Sequence, residues 1–311
     1  MKMPVLTEFR RHERLMGSAF EFVVVDDVTS GAERVAESIA EVKRIETLLT
    51  EFSETSHTSR INSNAGLNPV SVDAEVYALI ERCKRISALT QGAFDITAGV
   101  LKKLYNFKGE TFKLPGHDVL RQTLQGVGSD KITISPPGQV YLTKPGMRIS
   151  FAAVGKGYAA DKVKSMLIGK GIQSGVINAS GDLTVWGTRA DGSPWKVGIA
   201  DPSDRSKILL WLPVENACVA TSGDYEQYFD LNGKRFSHTI DPKTGRPVSG
   251  IKSVTVVSPS AELSDALATA VFVMGVDVGM NFIGQLPQTH ALVINDQDKV
   301  FTSPHLKIQR A

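Results

Sequence analysis

Apolar residues recur along the chain at two spacings, which predict where helices and strands lie. Three- and four-residue spacing predicts helices over residues 31–52, 74–89, 158–169, 261–274 and 277–286. Short apolar runs between Gly, Pro and Asp predict strands over 20–25, 131–134, 140–143, 148–154, 175–178, 183–186, 195–199, 208–214, 217–221, 291–294 and 300–302. Asn232-Gly233, between two strand-like segments, predicts a hairpin turn because both residues tolerate positive φ.

Helices and strands occur in runs, a pattern typical of the α+β class. We expect mixed or antiparallel sheets with flanking helices. No Pro/Ser-rich linker or charge block divides the sequence, so residues 1–311 are expected to form one compact, two-lobed unit. The sequence GKGYAA at 155–160 matches the G-x-G-x-x-A fingerprint, with Asp182 downstream, and leaves a Rossmann dinucleotide fold as the alternative.

Composition and net charge indicate which kinds of partner to expect. Hydrophobic residues make up 42% and charged residues 22% of the chain, as in an ordinary globular protein. The net charge is only +2 and the basic residues are scattered, so no nucleic-acid partner is expected. No apolar run reaches the length of a signal peptide or a membrane span. The chain as written is therefore expected to be cytoplasmic, and periplasmic or lipid-anchored if a leader has been removed.

Two short patterns point to chemistry. Lys156, held between two glycines at a predicted strand-to-helix junction, indicates either an anion site or a tight turn with a solvated lysine. Asp265 and Thr269 lie four residues apart on one helix face and offer two hard oxygens to one magnesium ion. The same pair is equally explained by an acid near a helix start and a hydroxyl bonded to the preceding turn.

The segment FSHTIDPKTGRPV at 236–248 concentrates polar side chains that serve no evident core, as expected of a ligand-binding loop. His238 is the candidate general base or phosphate-binding group in it; the alternative is a polar turn built on Asp241-Pro242. The six histidines form no paired zinc signature, and neither a G-x-S-x-G elbow nor a nucleotide-binding P-loop occurs. These absences argue against a zinc hydrolase, a serine hydrolase and a nucleoside triphosphatase.

In order along the chain, the motifs resemble those of the ApbE family of FAD:protein FMN transferases. The resemblance rests on Met16-Gly17-Ser18, Ser59-Arg60-Ile61-Asn62, Gly92-Ala93-Phe94-Asp95, Gly155-Lys156-Gly157-Tyr158 with Asp161, Asn178-Ala179-Ser180-Gly181-Asp182, Thr221-Ser222-Gly223-Asp224-Tyr225, Ser237-His238 through Gly245, and Asp265 to Thr269. It implies a magnesium-dependent transfer of FMN from FAD to a threonine hydroxyl, with release of AMP. It also implies an acceptor protein carrying an Asp-x-x-x-Gly-Ala-Thr-type motif. FAD pyrophosphatase activity and non-catalytic FAD binding are the alternatives.

The resemblance also implies roles for individual residues. Magnesium would be bound by Asp265, Thr269 and the backbone carbonyl of Ala153. FAD would be contacted by Met16, Ala93, Phe94, Asp95, Ser150, Lys156, His238 and Ile240. From the chemistry of the reaction, and separately from the resemblance, we expect His238 to accept the threonine proton and Asp241 to orient it.

Two departures from the family pattern stand out: Ser150 replaces the usual Asp, and Ser180-Gly181 replaces the usual Gly-Gly. If the pocket keeps the family's shape, Ser150→Asp is expected to strengthen magnesium or flavin binding.

Overall fold

The computed structural model describes residues 6–310 except 106, 108–113, 205, 225–227 and 232–233. The predicted Asn232-Gly233 turn lies outside the described residues, although the strands on either side of it pair as a hairpin. No helix in the described parts of the chain combines the length and apolar character needed to cross a bilayer. The expectation that residues 1–311 form one two-lobed unit stays a prediction.

The helices are α1 (Gly31–Leu49), α2 (His57–Ser63), α3 (Ala74–Leu89), α4 (Gly99–Lys102), α5 (His117–Leu124), α6 (Gly155–Gly169), α7 (Ala261–Met274) and α8 (Val276–Gly284), with 3-10 turns at Ile96–Ala98 and Ser129–Lys131. The strands are β1 (Leu6–Leu15), β2 (Ser18–Asp27), β3 (Val70–Ser71), β4 (Ile132–Ser135), β5 (Gln139–Leu142), β6 (Ser174–Ala179), β7 (Asp182–Trp186), β8 (Trp195–Ala200), β9 (Ile208–Val214), β10 (Cys218–Gly223), β11 (Tyr228–Leu231), β12 (Lys234–Ser237), β13 (Ile251–Ser258), β14 (His290–Asn295), β15 (Val300–Thr302) and β16 (Gln309–Arg310).

An antiparallel sheet in the order β1-β2-β6-β7-β10-β13-β14-β15 organises the fold. Its faces alternate along each strand: Val24 of β2 lies in the core beneath α1 and α6, whereas Val23 and Val25 pack against β8 and β9. The α+β prediction is confirmed. The Rossmann alternative is wrong, because β6, which follows α6, runs antiparallel to both of its neighbours.

The first predicted helix ends earlier than expected, and the strand predicted over 148–154 is absent. The first helix stops at Leu49, because Thr50 leaves the helical conformation with ψ of 143°. Residues 148–154, all of them described, form no strand. The Asn62 side chain bonds both the N–H and the carbonyl of Ile149, and the Ser150 N–H donates to Ile96 at 2.8 Å. The backbone of this segment is thus bonded to a side chain and a loop instead of a neighbouring strand.

The β6–β7 turn contains the second departure from the family pattern, Ser180-Gly181. Ser180 has φ of 59° and Gly181 φ of 104°, so both residues adopt a left-handed conformation that glycine tolerates best. Asn178 stabilises the turn by accepting a hydrogen bond from the Gly181 N–H at 2.9 Å. A serine at position 180 therefore introduces backbone strain at this turn.

Glu75 joins three helices that support the site. Its carboxylate on α3 pairs with Arg44 of α1 at 2.8 Å and accepts a hydrogen bond from the Tyr158 hydroxyl of α6. Burial favours a higher pKa for Glu75, but the hydrogen bonds from Arg44 and Tyr158 outweigh burial and lower the pKa to about 2. The charged form is therefore the stabilising one.

We expect Glu75→Gln to lower the free energy of unfolding by about 1–2 kcal/mol at neutral pH, after allowing for solvent access to the pair. Because the folded pKa lies below the ordinary 4.5, the contribution is complete above that value and is lost as the pH falls towards 2. Urea unfolding at about pH 7 and about pH 3.5 measures it.

Glu81→Gln is the matched control, because Glu81 forms an exposed ion pair with Arg85 on the same helix. Its effect should not exceed about 0.5 kcal/mol. An equal loss in the two variants would show that Glu75 does not join the helices.

Candidate active site

A cleft of about 300 Å³ opens where α6, α7 and β10 meet the turn before the 3-10 segment Ile96–Ala98. It brings together most of the residues singled out from the sequence: Ala93, Phe94, Asp95, Ser150, Ala153, Lys156, His238, Ile240, Asp265 and Thr269. Met16 lies in an adjoining hollow that shares Glu51, Ala152 and Lys156 with the cleft. Asp241 lines a different surface hollow, next to Lys243.

Charged groups of both signs meet at the start of α6. The Lys156 ammonium pairs with Asp182 at 2.5 Å, and the Asp182 side chain is only 4% exposed. Asp182 stands at the start of β7, directly after the strained β6–β7 turn. The solvated-lysine interpretation is therefore wrong: an ion pair fixes the ammonium in the wall of the cleft.

Asp265 is a second buried carboxylate of the cleft and lies one turn inside α7. Burial raises the pKa of its carboxyl well above the usual range, and the neighbouring Asp182 raises it further. The Lys156 ammonium and the Gly157 N–H, 3.5 Å from Oδ2, act in the opposite direction. An acid at this position is costly to ionise unless a cation binds beside it.

Thr269 follows Asp265 on the same face of α7, as the four-residue spacing predicts. Its hydroxyl lies 3.4 Å from the Ser222 hydroxyl of β10, and both side chains line the cleft. No group of three His, Cys, Asp or Glu side chains able to hold a metal occurs among the described residues. The oxygens of Asp265, Thr269 and Ala153 are nevertheless the hard donors that magnesium prefers, so the donor set fits this ion.

Two residues predicted to contact the flavin, Phe94 and Asp95, also have structural roles. Phe94 is 1% exposed and packs in the main core, so it offers the cleft little more than its backbone. The Asp95 carboxylate caps the next 3-10 turn by accepting from Thr97, and it also accepts from the Ser129 N–H at 2.7 Å. Both residues shape the wall of the cleft.

The His238 loop is built like a short hairpin. Ser237 donates to the Val248 carbonyl at 2.9 Å, and Val248 donates back to Thr239 at 3.0 Å. Ile240 is buried in a small apolar cluster with residues of α4 and α5, and this contact fixes the loop to the core. The mostly polar sequence of the loop gave no indication of the contact. His238 is thereby held at the cleft.

Asp241 has a turn-forming role in this loop. Its two carboxylate oxygens accept from the Lys243 N–H and the Thr244 hydroxyl, each at 2.9 Å. Its proposed orientation of His238 stays a prediction.

The chain is similar to known proteins in both sequence and fold. The sequence model of the ApbE family matches residues 16–293. The chain belongs to the ApbE family. A Haemophilus influenzae protein named FAD:protein FMN transferase is 31% identical over 276 residues, covering 85% of this chain and 80% of the relative.

Solved ApbE structures have the same fold. The crystal structure of the ApbE protein from Thermotoga maritima superposes with a TM-score of 0.87 at 29% identity, covering 96% of this chain and 97% of that one. The flavin transferase ApbE from Vibrio cholerae superposes with a TM-score of 0.86 at 25% identity, covering 97% and 98%.

Ser150, the first of the two departures from the family pattern noted in the sequence, does line the cleft, and its hydroxyl donates to the Glu51 carboxylate. Glu51 follows α1 and also lies 3.9 Å from Arg148. A carboxylate is thus present at this wall, supplied by a residue 99 positions away in the sequence. Sequence reasoning missed Glu51, because nothing in the polar segment after α1 distinguishes it from a solvated acid.

The contact with Glu51 reverses the expectation for Ser150→Asp. The substitution places two carboxylates against each other, so we expect weaker FAD binding and a loss of about 1–2 kcal/mol in the free energy of unfolding. Adding Glu51→Gln should recover both quantities. Flavin fluorescence titration and urea unfolding measure them.

Ser150→Ala is the control, because it removes only the hydrogen bond. Tighter FAD binding by the Ser150→Asp single variant would show that Glu51 does not occupy the place of the missing carboxylate.

Proposed function

We propose that this protein is a magnesium-dependent FAD:protein FMN transferase, which moves FMN from FAD to a threonine hydroxyl of an acceptor protein and releases AMP. The names of its ApbE relatives support the flavin chemistry. The observation that carries the proposal is the buried Asp265, with Thr269 one turn away on the same helix and the Lys156–Asp182 pair beside it. Together, these oxygens and the ammonium are suited to bind an anion that is complexed with a divalent cation.

In the proposed reaction, the threonine oxygen forms a bond to the phosphorus nearest riboflavin. The bond from that phosphorus to the bridging oxygen breaks, and AMP leaves with this oxygen. When bound, magnesium supplies positive charge that offsets the charge of the pyrophosphate. Asp265, Thr269 and the Ala153 carbonyl would hold the ion.

The remaining steps fall to side chains of the cleft. Lys156, positioned by Asp182, contributes a fixed positive charge for a phosphate oxygen. His238 lines the same cleft, and in this proposal it accepts the proton that the threonine hydroxyl loses. Acceptor proteins with an Asp-x-x-x-Gly-Ala-Thr-type motif are the proposed partners.

The deciding experiment incubates the protein with FAD, Mg²⁺ and an acceptor domain that carries the motif. Mass spectrometry of the acceptor detects the FMN adduct, and chromatography detects AMP. A Thr→Ala acceptor and a reaction with chelator are the controls. Release of AMP and free FMN without an adduct would instead assign FAD pyrophosphatase activity, and tight FAD binding without either product would leave a flavin-binding protein.

We expect Asp265→Asn to reduce transfer by at least about 10²-fold and to weaken Mn²⁺ binding, because the variant lacks the charged ligand while keeping its volume. Asp277→Asn is the control, since Asp277 lies outside the cleft at the start of α8. The measurements are the transfer rate and a direct Mn²⁺ titration. Full magnesium-dependent activity in Asp265→Asn would remove Asp265 from the site.

We expect His238→Ala to lower the maximal transfer rate by about 10²–10⁴-fold with little effect on FAD affinity, because proton removal matters only in the transition state. Single-turnover rates at saturating FAD, with a separate titration of FAD binding, measure both quantities. A normal maximal rate with weakened FAD affinity would make His238 a phosphate-binding residue.

A further inference from the structure

Asp161 of α6 lies one turn after Gly157 and contacts a cluster of hydrogen-bond donors. Its Oδ1 accepts from the Ala261 N–H at 3.0 Å, and its Oδ2 accepts from the Glu262 N–H at 2.9 Å and the Ser260 hydroxyl at 2.8 Å. The Cys218 thiol of β10 lies 3.7 Å from Oδ1. All of these contacts converge on the first turn of α7 and the strand beside it.

The first turn of a helix has N–H groups without partners inside the helix. In α7, the Leu263 N–H is satisfied by the Ser260 hydroxyl at 3.2 Å, the ordinary N-cap arrangement. The Ala261 and Glu262 N–H groups are satisfied by Asp161, which belongs to another helix. A cap that comes from outside fixes where α7 begins relative to α6.

Gly157 makes a second contact on the same face of α6. A Cβ at Gly157 would lie 2.3 Å from the Ala261 carbonyl oxygen, so the backbones of the two helices touch at this point. The Gly157 N–H lies 3.5 Å from Oδ2 of Asp265. Two contacts one turn apart prevent α7 from sliding or rotating against α6.

The site is divided between these two helices. Lys156 stands in the first turn of α6, whereas Asp265 and Thr269 follow one and two turns after the contacts of Asp161 on α7. We propose that Asp161 is a positioning residue for the proposed transferase site: it sets the distance between the lysine and the metal-binding oxygens. This inference rests on the proposed function.

Asn is not a conservative replacement at this position. Both oxygens of Asp161 face donors, so the amide NH₂ group of Asn places a donor against a backbone N–H or a hydroxyl. Asp161→Glu keeps the charge and the ability to cap the helix. Because its side chain is longer by one methylene, we expect it to shift the start of α7 relative to α6. The two variants therefore separate the loss of the cap from the loss of position.

The test is titration of the full chain with Mn²⁺ alone, followed by electron paramagnetic resonance, alongside thermal unfolding without metal. We expect Asp161→Asn to raise the Mn²⁺ dissociation constant by about 10-fold or more, as the loss of groups that orient metal ligands does. Asp161→Glu should keep most of the stability and still bind Mn²⁺ more weakly than the wild type. If Asp161→Asn does not fold, Asp161→Glu decides.

Asp73→Ala is the matched control, because Asp73 caps α3 by accepting from the Glu75 N–H at 2.8 Å, away from the cleft. It should lower stability without changing Mn²⁺ affinity. The inference is overturned if Asp161→Glu keeps the wild-type Mn²⁺ affinity while Asp161→Asn loses stability as Asp73→Ala does. Asp161 would then be a structural cap only. Equal Mn²⁺ binding by wild type and Asp265→Asn would instead contradict the proposed function.

Discussion

The close approach of α6 and α7 is the constraint on which the site depends. At Gly157 the two backbones come so near that any side chain would overlap the Ala261 carbonyl. Glycine costs helix stability in most positions, yet here it admits a helix–helix contact that no other residue permits. The contact brings the α6 residue Lys156 and the α7 residue Asp265 to one cleft, although they are far apart in the sequence.

This proximity has an electrostatic cost. Asp182 and Asp265 are both buried beside the Lys156 ammonium, so ionising both carboxylates leaves one of the two negative charges without a partner in this group of three. Burying a carboxylate without full compensation destabilises a fold. A divalent cation that binds only the folded protein would offset this cost and stabilise the protein as its concentration rises. In the proposed transferase, such an arrangement would trade stability of the metal-free protein for affinity towards a cation and its anionic partner.

Sequence patterns predicted those features that depend on neighbouring residues. The shared face of Asp265 and Thr269 follows from helix geometry alone, and α3 and α7 begin and end where apolar spacing placed them. Strand β1 gave no apolar signal, because it is an exposed, highly charged edge strand held by ten residue pairs with β2. The Lys156–Asp182 pair joins residues 26 positions apart, and local spacing carries no information about such a contact.

Glu51 shows why a motif can mislead even where the family is correctly identified. The family pattern indicated a missing carboxylate at position 150, but chemistry depends on where a carboxylate lies, whichever residue supplies it. The chain folds so that the end of α1 approaches the segment held by Asn62, and Glu51 meets the Ser150 hydroxyl there. A serine is the suitable neighbour for that carboxylate, because it donates a hydrogen bond where an aspartate would repel. The departure at 150 and the acid at 51 are therefore best understood as one feature of the site.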